Sequence, residues 1–150
     1  MSWTDYVNSL MATNKLNHAA IVGLQDGKTY AASPGFHILV HPGHSTTETG
    51  EKKEFIVDEY GVLKDLVNKK GQVPHPPGIW INNTRYHLVE WHEESKAAYL
   101  KCEHGGATVV KTIKLIIIGT WSSKGDPNKN GGHCNTIIEE IAAKFIESGF

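Results

Sequence analysis

The sequence has little cysteine, little net charge and no long apolar run, and each shortage argues against a class of protein. Its 150 residues include only two cysteines, Cys102 and Cys134, so we expect a reduced cytosolic protein and no disulfide scaffold. The net charge of −1 offers no field that would attract nucleic acid or an acidic membrane. The longest apolar run, Leu115–Ile118, is as short as a strand. No basic region followed by an apolar stretch begins the chain, so no secretory signal is expected.

Sequence signatures of catalysis and of metal binding are also missing. The chain has neither a Gly-x-Ser-x-Gly elbow nor a glycine loop of the phosphate-binding type. Cys102 lies two residues from His104, but no third group is in place to orient the pair. His41 and His44 are close together, yet a zinc site needs three or four converging ligands and no second pair has matching spacing. We therefore expect no cofactor, no metal and no enzymatic activity.

Each end of the chain carries an amphipathic pattern typical of a helix. In residues 2–11 the apolar side chains recur at helical spacing, at Trp3, Tyr6, Val7, Leu10 and Met11. Ser2 and Asp5 predict a capping box at the start of this helix. In residues 135–150 a second apolar stripe consists of Ile137, Ile138, Ile141, Ala142 and Phe145, and Phe150 follows it. Two such helices are expected to pack side by side on one face of a sheet.

The segments between these helices are dominated by strand patterns. The expected strands are 18–24, 28–33, 79–81, 85–92, 97–102, 108–113 and 114–121. Turn residues join them in pairs, at Gln25–Gly27, Asn82–Thr84 and Glu103–Gly106. A helical spacing covers 54–67, and loops are expected at 41–53 and 69–78.

This order of elements predicts one α+β domain over residues 1–150. Its core would be a single antiparallel sheet of about six to seven strands. The N- and C-terminal helices would pack on one face of the sheet and the shorter helix on the other.

Five segments, in this order along the chain, resemble the profilin family of actin-monomer-binding proteins. They are Met-Ser-Trp-Thr-Asp-Tyr-Val at 1–7, the hairpin at 19–31, the strands at 78–89, Gly-Gly-Ala-Thr-Val-Val-Lys-Thr at 105–112, and Gly-His-Cys-Asn-Thr-Ile-Ile-Glu at 132–139. The resemblance covers nearly the whole chain and implies a profilin-like fold. It also implies a cytoplasmic, cytoskeletal protein that binds and sequesters monomeric actin and binds proline-rich proteins such as formin-like nucleators.

Large aromatic residues at the two chain ends and in the first hairpin are candidates for a poly-proline site. They are Trp3, Tyr6, Tyr30, Phe145 and Phe150. A polyproline II helix has exposed carbonyls and is ordered before it binds, so it suits parallel aromatic rings with N–H or O–H donors. Judged from the residues alone, ordinary core packing would also account for them. The resemblance implies that they bind poly-proline, with Tyr30 where the family usually has a tryptophan.

The resemblance also maps an actin-binding face onto the later strands and the last helix. Its residues are Lys101, Gly105, Gly106, Thr108, Lys111, Asn135 and Glu139. Charges around such a face would steer association more than they would add affinity. Considered one at a time, each of these residues would also be explained as ordinary solvent-exposed surface. Thr136 and Glu139 predict a capping box at the start of the last helix.

Lysines and arginines form no cluster of four or more; Lys52–Lys53 and Lys69–Lys70 are only pairs. Weak or absent phosphoinositide binding is therefore expected.

Two other functions stay open. A longin- or roadblock-like trafficking module would lack an aromatic cluster built from both termini and would not bind poly-proline. A small enzyme that uses the histidines would show metal content or a pH-dependent activity.

Overall fold

The computed structural model describes residues 2–46, 49–74 and 77–150. The elements, in chain order, are α1 Trp3–Ala12, β1 His18–Gly23, β2 Thr29–Ala32, β3 Val40–Thr46, β4 Lys52–Asp58, α2 Glu59–Asn68, β5 Ile79–Ile81, β6 Thr84–His92, β7 Ala97–Cys102, β8 Gly105–Lys111, β9 Leu115–Ser122 and α3 Gly131–Glu147. Seven of these strands form one antiparallel sheet in the order β2-β1-β9-β8-β7-β6-β5. The predicted fold class is confirmed.

The sheet has a buried apolar layer on each face, because successive side chains of a strand point to opposite sides. In β9, Leu115 and Ile117 face α1 and α3, whereas Ile116 and Ile118 face α2. All four side chains are at most 1% exposed. This is the burial expected of a central strand covered on both faces, and it places the terminal helices together, as predicted.

The two terminal helices begin differently. In α1 the predicted capping box is present: the Ser2 hydroxyl accepts from the Asp5 N–H at 3.1 Å, and the Asp5 carboxylate accepts from the Ser2 N–H at 3.0 Å. The predicted capping box of α3 is wrong, since this helix begins at Gly131 and Asn130 caps it. Thr136 lies inside the helix and donates to the Gly132 carbonyl at 2.9 Å. Two glycines in its first turn, poor helix formers, conceal its start in the sequence.

The loop predicted at 41–53 is wrong. Most of this segment belongs to an antiparallel ribbon that β3 and β4 form together. The helix predicted over 54–67 starts only at Glu59, because 54–58 belong to β4. In β4 the burial alternates with a period of two: Val57 is buried and Ile56 is 69% exposed. Residues 47 and 48 of this predicted loop, and 75 and 76 of the one at 69–78, lie outside the described residues.

The turns between the later strands are tight. Asn82 and Asn83 have φ of 49° and 61°, left-handed values that asparagine tolerates, and they connect β5 to β6 as predicted. The predicted turn at Glu103–Gly106 is shorter in the structure, since Cys102 pairs with Gly105. Gly105 and Gly106 therefore belong to β8.

His18, half-buried at the start of β1, is expected to make stability depend on pH. Burial lowers the pKa of His18, and the positive charge of Lys129 adds to this effect. An unfolded histidine titrates near pH 6.5, so just below that pH the unfolded chain binds more protons than the folded one. Stability should therefore fall as the pH drops below about 6.5 and through the lower folded pKa. Urea midpoints at several pH values should fall less steeply in His18→Asn; equal slopes would contradict the assignment.

Candidate functional site

The five aromatic side chains predicted to form a poly-proline site lie together in one cluster. The Trp3 ring is stacked on Tyr30 at 5.7 Å between ring centres, with an interplanar angle of 27°. Phe145 and Phe150 meet the same indole edge-on at 5.6 and 5.3 Å. Tyr6 lies 6.3 Å from Trp3 and 4.8 Å from Phe145. We call this set of five rings the aromatic groove.

The aromatic groove is open to solvent rather than sealed in the core. Phe145 is only 4% exposed and forms its floor, whereas Tyr30 and Phe150 are each 37% exposed. A depression of about 250 Å³ is lined by Trp3, Tyr6, Phe145, Ser148 and Phe150. Full core burial, the other explanation of these aromatics, applies only to Phe145.

The polar groups of the aromatic groove are unequally available. Among the described residues, neither the Trp3 indole N–H nor the Tyr6 hydroxyl has a hydrogen-bond partner. The Tyr30 hydroxyl donates to Asp26 Oδ2 at 2.7 Å, and this bond raises the pKa of Tyr30. Asp26 Oδ1 accepts from the Lys28 N–H at 2.9 Å. Tyr30 therefore offers a ring face to a ligand, while Trp3 and Tyr6 offer donors.

Phe150 is held in place by hydrogen bonds of its own main chain and by a contact with its ring. Its N–H donates to the Phe145 carbonyl at 2.8 Å, and its own carbonyl accepts from the Thr112 hydroxyl at 2.7 Å. The Lys114 ammonium lies 5.6 Å from the centre of the Phe150 ring. Sequence reasoning missed Thr112 and Lys114, because their contacts with Phe150 join segments far apart in the chain. It also missed Asp26, although Tyr30 is only four positions away.

The seven residues of the predicted actin-binding face, which we call the glycine-turn face, lie on β7, β8 and α3. They are Lys101, Gly105, Gly106, Thr108, Lys111, Asn135 and Glu139. Lys101 pairs with Gly106 across β7 and β8. The Thr108 hydroxyl donates to Asn135 Oδ1 at 2.6 Å, which joins β8 to α3. These contacts bring most of the predicted set to the α3 side of the sheet.

Strand alternation separates two of the seven residues from the others. Val110 packs on the α3 side and Val109 on the α2 side, so Gly105 and Lys111 fall on the α2 side with Val109. The Lys111 side chain is therefore not part of one continuous face with Lys101. Thr108 is on the α3 side but 0% exposed, so its side chain positions Asn135 and is not itself exposed surface.

The two glycines are accounted for by strand packing. A Cβ on Gly105 would lie 2.1 Å from the Trp121 carbonyl oxygen, and one on Gly106 would lie 2.4 Å from the Leu100 carbonyl oxygen. Both contacts are with backbone, which cannot move aside without breaking the pairing of β8 with its neighbours. These positions need glycine whether or not a partner binds.

Glu139 is held by a hydrogen-bond network that the sequence did not reveal. The hydroxyls of Tyr99 and Ser95 both donate to Glu139 Oε1, the second at 3.2 Å. The Ser95 hydroxyl lies 2.6 Å from His92 Nδ1, and the His92 ring stacks on Tyr99 at 6.0 Å. Burial, followed by the hydrogen bond to Glu139, raises the pKa of Tyr99 to about 12. Glu139 is thus fixed on the α3 side of β7.

The histidine pair noted in the sequence is divided between two sides of β3. His41 Nε2 lies 2.8 Å from the buried carboxylate of Glu59, whereas His44 is exposed. Within residues 2–46, 49–74 and 77–150, no three His, Cys, Asp or Glu side chains are grouped so that they could hold a metal ion.

None of the helices in these ranges has the length and apolar composition needed to span a membrane.

The fold and the aromatic groove together define a small α+β binding protein whose terminal helices pack side by side. A family model described as profilin matches residues 1–150, and the chain belongs to the profilin family. It is 32% identical over 154 residues to a profilin of Tetrahymena pyriformis, covering 99% of this chain and 98% of that one.

Solved structures of profilins have the same fold. Acanthamoeba castellanii profilin IB has a TM-score of 0.71 at 26% identity, with 99% of this chain and 100% of that one covered. Mouse profilin IIa, solved in complex with a double repeat from the FH1 domain of mDia1, has a TM-score of 0.67 at 20% identity, with 100% of both chains covered.

Proposed function

We propose that this profilin binds monomeric actin and, through the aromatic groove, proline-rich segments such as those of formin-like nucleators. It thereby regulates actin polymerisation and cytoskeletal dynamics in the cytoplasm, as a binding protein and not as an enzyme. The observation that carries the proposal is the contact of Trp3 with four other aromatic rings beside an open depression. Membership of the profilin family supports both binding activities.

The chemistry of the aromatic groove suits a polyproline II helix. Such a helix has three residues per turn and no internal hydrogen bonds, so its carbonyls need external donors. The unpartnered N–H of Trp3 and hydroxyl of Tyr6 can donate to them. The rings of Trp3, Tyr30 and Phe150 supply apolar faces for the proline rings. Since the ligand is already extended, binding orders few further torsions.

The actin-binding surface that we propose lies on the α3 side of the glycine-turn face. Lys101, Asn135 and Glu139 are its polar members with side chains outside the core. The network of Tyr99 and Ser95 fixes the Glu139 carboxylate before any partner arrives. Because the aromatic groove lies instead where α1 meets the end of α3, actin and a proline-rich ligand could bind together.

Retention of the purified protein on poly-L-proline resin, with elution by free decaproline, tests the proline-binding half of the proposal. A second step adds actin monomers to the loaded resin and asks whether they are retained one to one. A trafficking module of similar architecture would bind neither. Spontaneous actin nucleation should also slow when the protein is in excess over actin.

Reversal of charge at Lys101 is expected to weaken actin binding. Lys101→Glu should lower the association rate roughly threefold to tenfold at low salt and less at high salt, because an exposed charge acts mainly by steering the encounter. Stopped-flow mixing with labelled actin monomers measures this rate. Lys111→Glu is the matched control, since Lys111 lies on the α2 side of the sheet. Equal losses in the two variants would show that the proposed surface is wrong.

Weak binding to phosphatidylinositol bisphosphate is expected at physiological salt. Lys69 lies 3.7 Å from Asp65, and Lys70 lies 3.5 Å from Glu93, so acidic neighbours offset this lysine pair. Lys52 and Lys53 are adjacent in β4 and point to opposite sides of the ribbon. Co-sedimentation with liposomes that contain this lipid should recover little protein. Tight binding that salt reverses would contradict the prediction.

A further inference from the structure

The aromatic groove continues beyond Tyr30 into a second depression that carries charge. This depression has a volume of about 330 Å³ and is lined by Gln25, Asp26, Tyr30 and Lys114, and we call it the Lys114 depression. Tyr30 also stacks on Trp3, and the Lys114 ammonium lies over the Phe150 ring. Two members of the aromatic groove thus adjoin it, and a ligand that leaves the groove past Tyr30 enters it.

The two charged groups of the Lys114 depression differ in their availability. Both oxygens of Asp26 already accept hydrogen bonds, one from the Lys28 N–H and the other from the Tyr30 hydroxyl. The Lys114 ammonium has no ion-pair partner among the described residues. Its backbone N–H donates to the Phe150 carbonyl, which anchors the residue beside the aromatic groove. Among the four residues that line the depression, Lys114 is therefore the one with a charge that no hydrogen bond or ion pair of its side chain matches.

We propose that the Lys114 depression is a specificity subsite that accepts a carboxylate-bearing residue next to the proline tract of a ligand. This proposal rests on the proline binding proposed above. Proline rings carry no charge, so the aromatic groove alone cannot distinguish one proline tract from another of the same length. A polyproline II helix rises about 3 Å per residue. Tyr30 stacks on Trp3 and also lines the Lys114 depression, so a residue that continues past Tyr30 comes to lie beside Lys114.

The preference for an acidic flank should be modest, because the site is exposed. Ion pairs at exposed positions change a binding constant by about twofold to fivefold, and salt screens them. Asp26 opposes the incoming carboxylate, but the Lys28 N–H and the Tyr30 hydroxyl partly neutralise it. Replacement of Asp26 by Asn should therefore keep or increase the preference.

Calorimetry with three peptides tests the proposal on the intact protein. The peptides are decaproline alone, decaproline flanked at both ends by Asp, and its twin flanked by Asn. At low salt, wild type and Lys114→Arg should bind the Asp peptide about twofold to fivefold more tightly than the Asn peptide. Lys114→Gln should bind the Asp and Asn peptides equally; this comparison is made within one variant, so it holds whatever the affinity of that variant for decaproline alone. The preference in wild type should shrink in about 0.5 M salt.

The outcomes that would overturn the proposal are distinct from failure of the proposed function. If decaproline binds wild type but Lys114→Gln keeps the preference, or wild type shows none, only the subsite is wrong. The same holds if a Lys-flanked peptide binds best and Asp26→Asn removes that advantage. If wild type does not bind decaproline at all, the proposed function fails and this inference fails with it.

Discussion

Trp3→Ala is expected to abolish most binding to proline-rich ligands and to leave actin binding nearly intact. The indole contacts the other four rings of the aromatic groove and carries one of its two unpartnered donors. Truncation of such an aromatic anchor typically costs at least about 2 kcal/mol, or roughly a 30-fold loss of affinity. Calorimetry with decaproline measures that loss. Titration of labelled actin monomers measures the second activity, whose proposed surface lies on β7, β8 and the first turns of α3.

Trp3→Phe separates the two contributions of the indole. It keeps an aromatic ring between Tyr30 and Phe150 but removes the N–H donor, so its loss of affinity should be smaller than that of Trp3→Ala. Urea unfolding of both variants checks that α1 stays packed on the sheet. Wild-type decaproline affinity in Trp3→Ala would contradict the assignment of the aromatic groove. A parallel loss of actin binding would contradict the separation of the two surfaces.

The parts of the fold that the sequence predicted well are those whose burial follows one periodicity. The apolar stripe of residues 2–11 and the run at Leu115–Ile118 leave only one arrangement that buries them, a helix face and a central strand. Paired turn residues such as Asn82 and Asn83 fix the register of the strands they join. Such local signals agree with the tertiary structure, so reading them in order yields the sheet and its helices.

The β3–β4 ribbon was missed because its own residues argue against a strand. Pro42 and Gly43 lie inside β3, although both residue types are uncommon within strands, and only part of β4 packs inward. Phe55 and Val57 also fit the helical spacing that continues into α2, so the two periods overlap at this boundary. Contact with the body of the protein decides between them, and a single sequence does not display that contact.

The aromatic groove was predictable because its residues belong to elements with a clear apolar face and to recognisable profilin motifs. The glycine-turn face was less predictable. The direction of Lys111 depends on the register of β8, and the burial of Thr108 depends on how closely α3 packs. Tyr99 and Glu139 are 40 positions apart, so no local pattern connects them.

Glu59 is the clearest case of a residue that sequence reasoning passed over. It is charged and lies at the first position of α2, where an acidic residue ordinarily faces solvent near the positive end of the helix. In the structure its side chain is 0% exposed. Its carboxylate accepts from the N–H groups of Leu39, Asn82 and Asn83 at 3.2, 2.7 and 2.7 Å, and His41 Nε2 lies 2.8 Å away. One side chain thereby joins β3, α2 and the β5–β6 turn.

Glu59→Ala is therefore expected to be strongly destabilising. Its removal leaves the Asn82 and Asn83 N–H groups without an acceptor inside the protein, takes away the partner of His41, and opens a cavity. Loss of the acceptor costs about 1–3 kcal/mol for each buried N–H group that is left without a partner. Glu59→Gln should cost less, because its amide oxygen still accepts hydrogen bonds. It should still destabilise the protein, because its NH₂ group faces N–H donors and cannot accept from them. Urea unfolding at neutral pH measures the free energy of unfolding of each variant.

Glu54→Ala is the matched control, because Glu54 is an exposed acidic residue in β4, the strand that leads into α2. It should change the free energy of unfolding by no more than about 0.5 kcal/mol. In Glu59→Gln, hydrogen exchange at the Asn82 and Asn83 amides should accelerate more than exchange in β9, because the lost acceptors are local to that turn. Decaproline affinity of the folded variant should stay unchanged, since the aromatic groove lies across the sheet. If Glu59→Ala were no less stable than Glu54→Ala, Glu59 would not join these elements energetically.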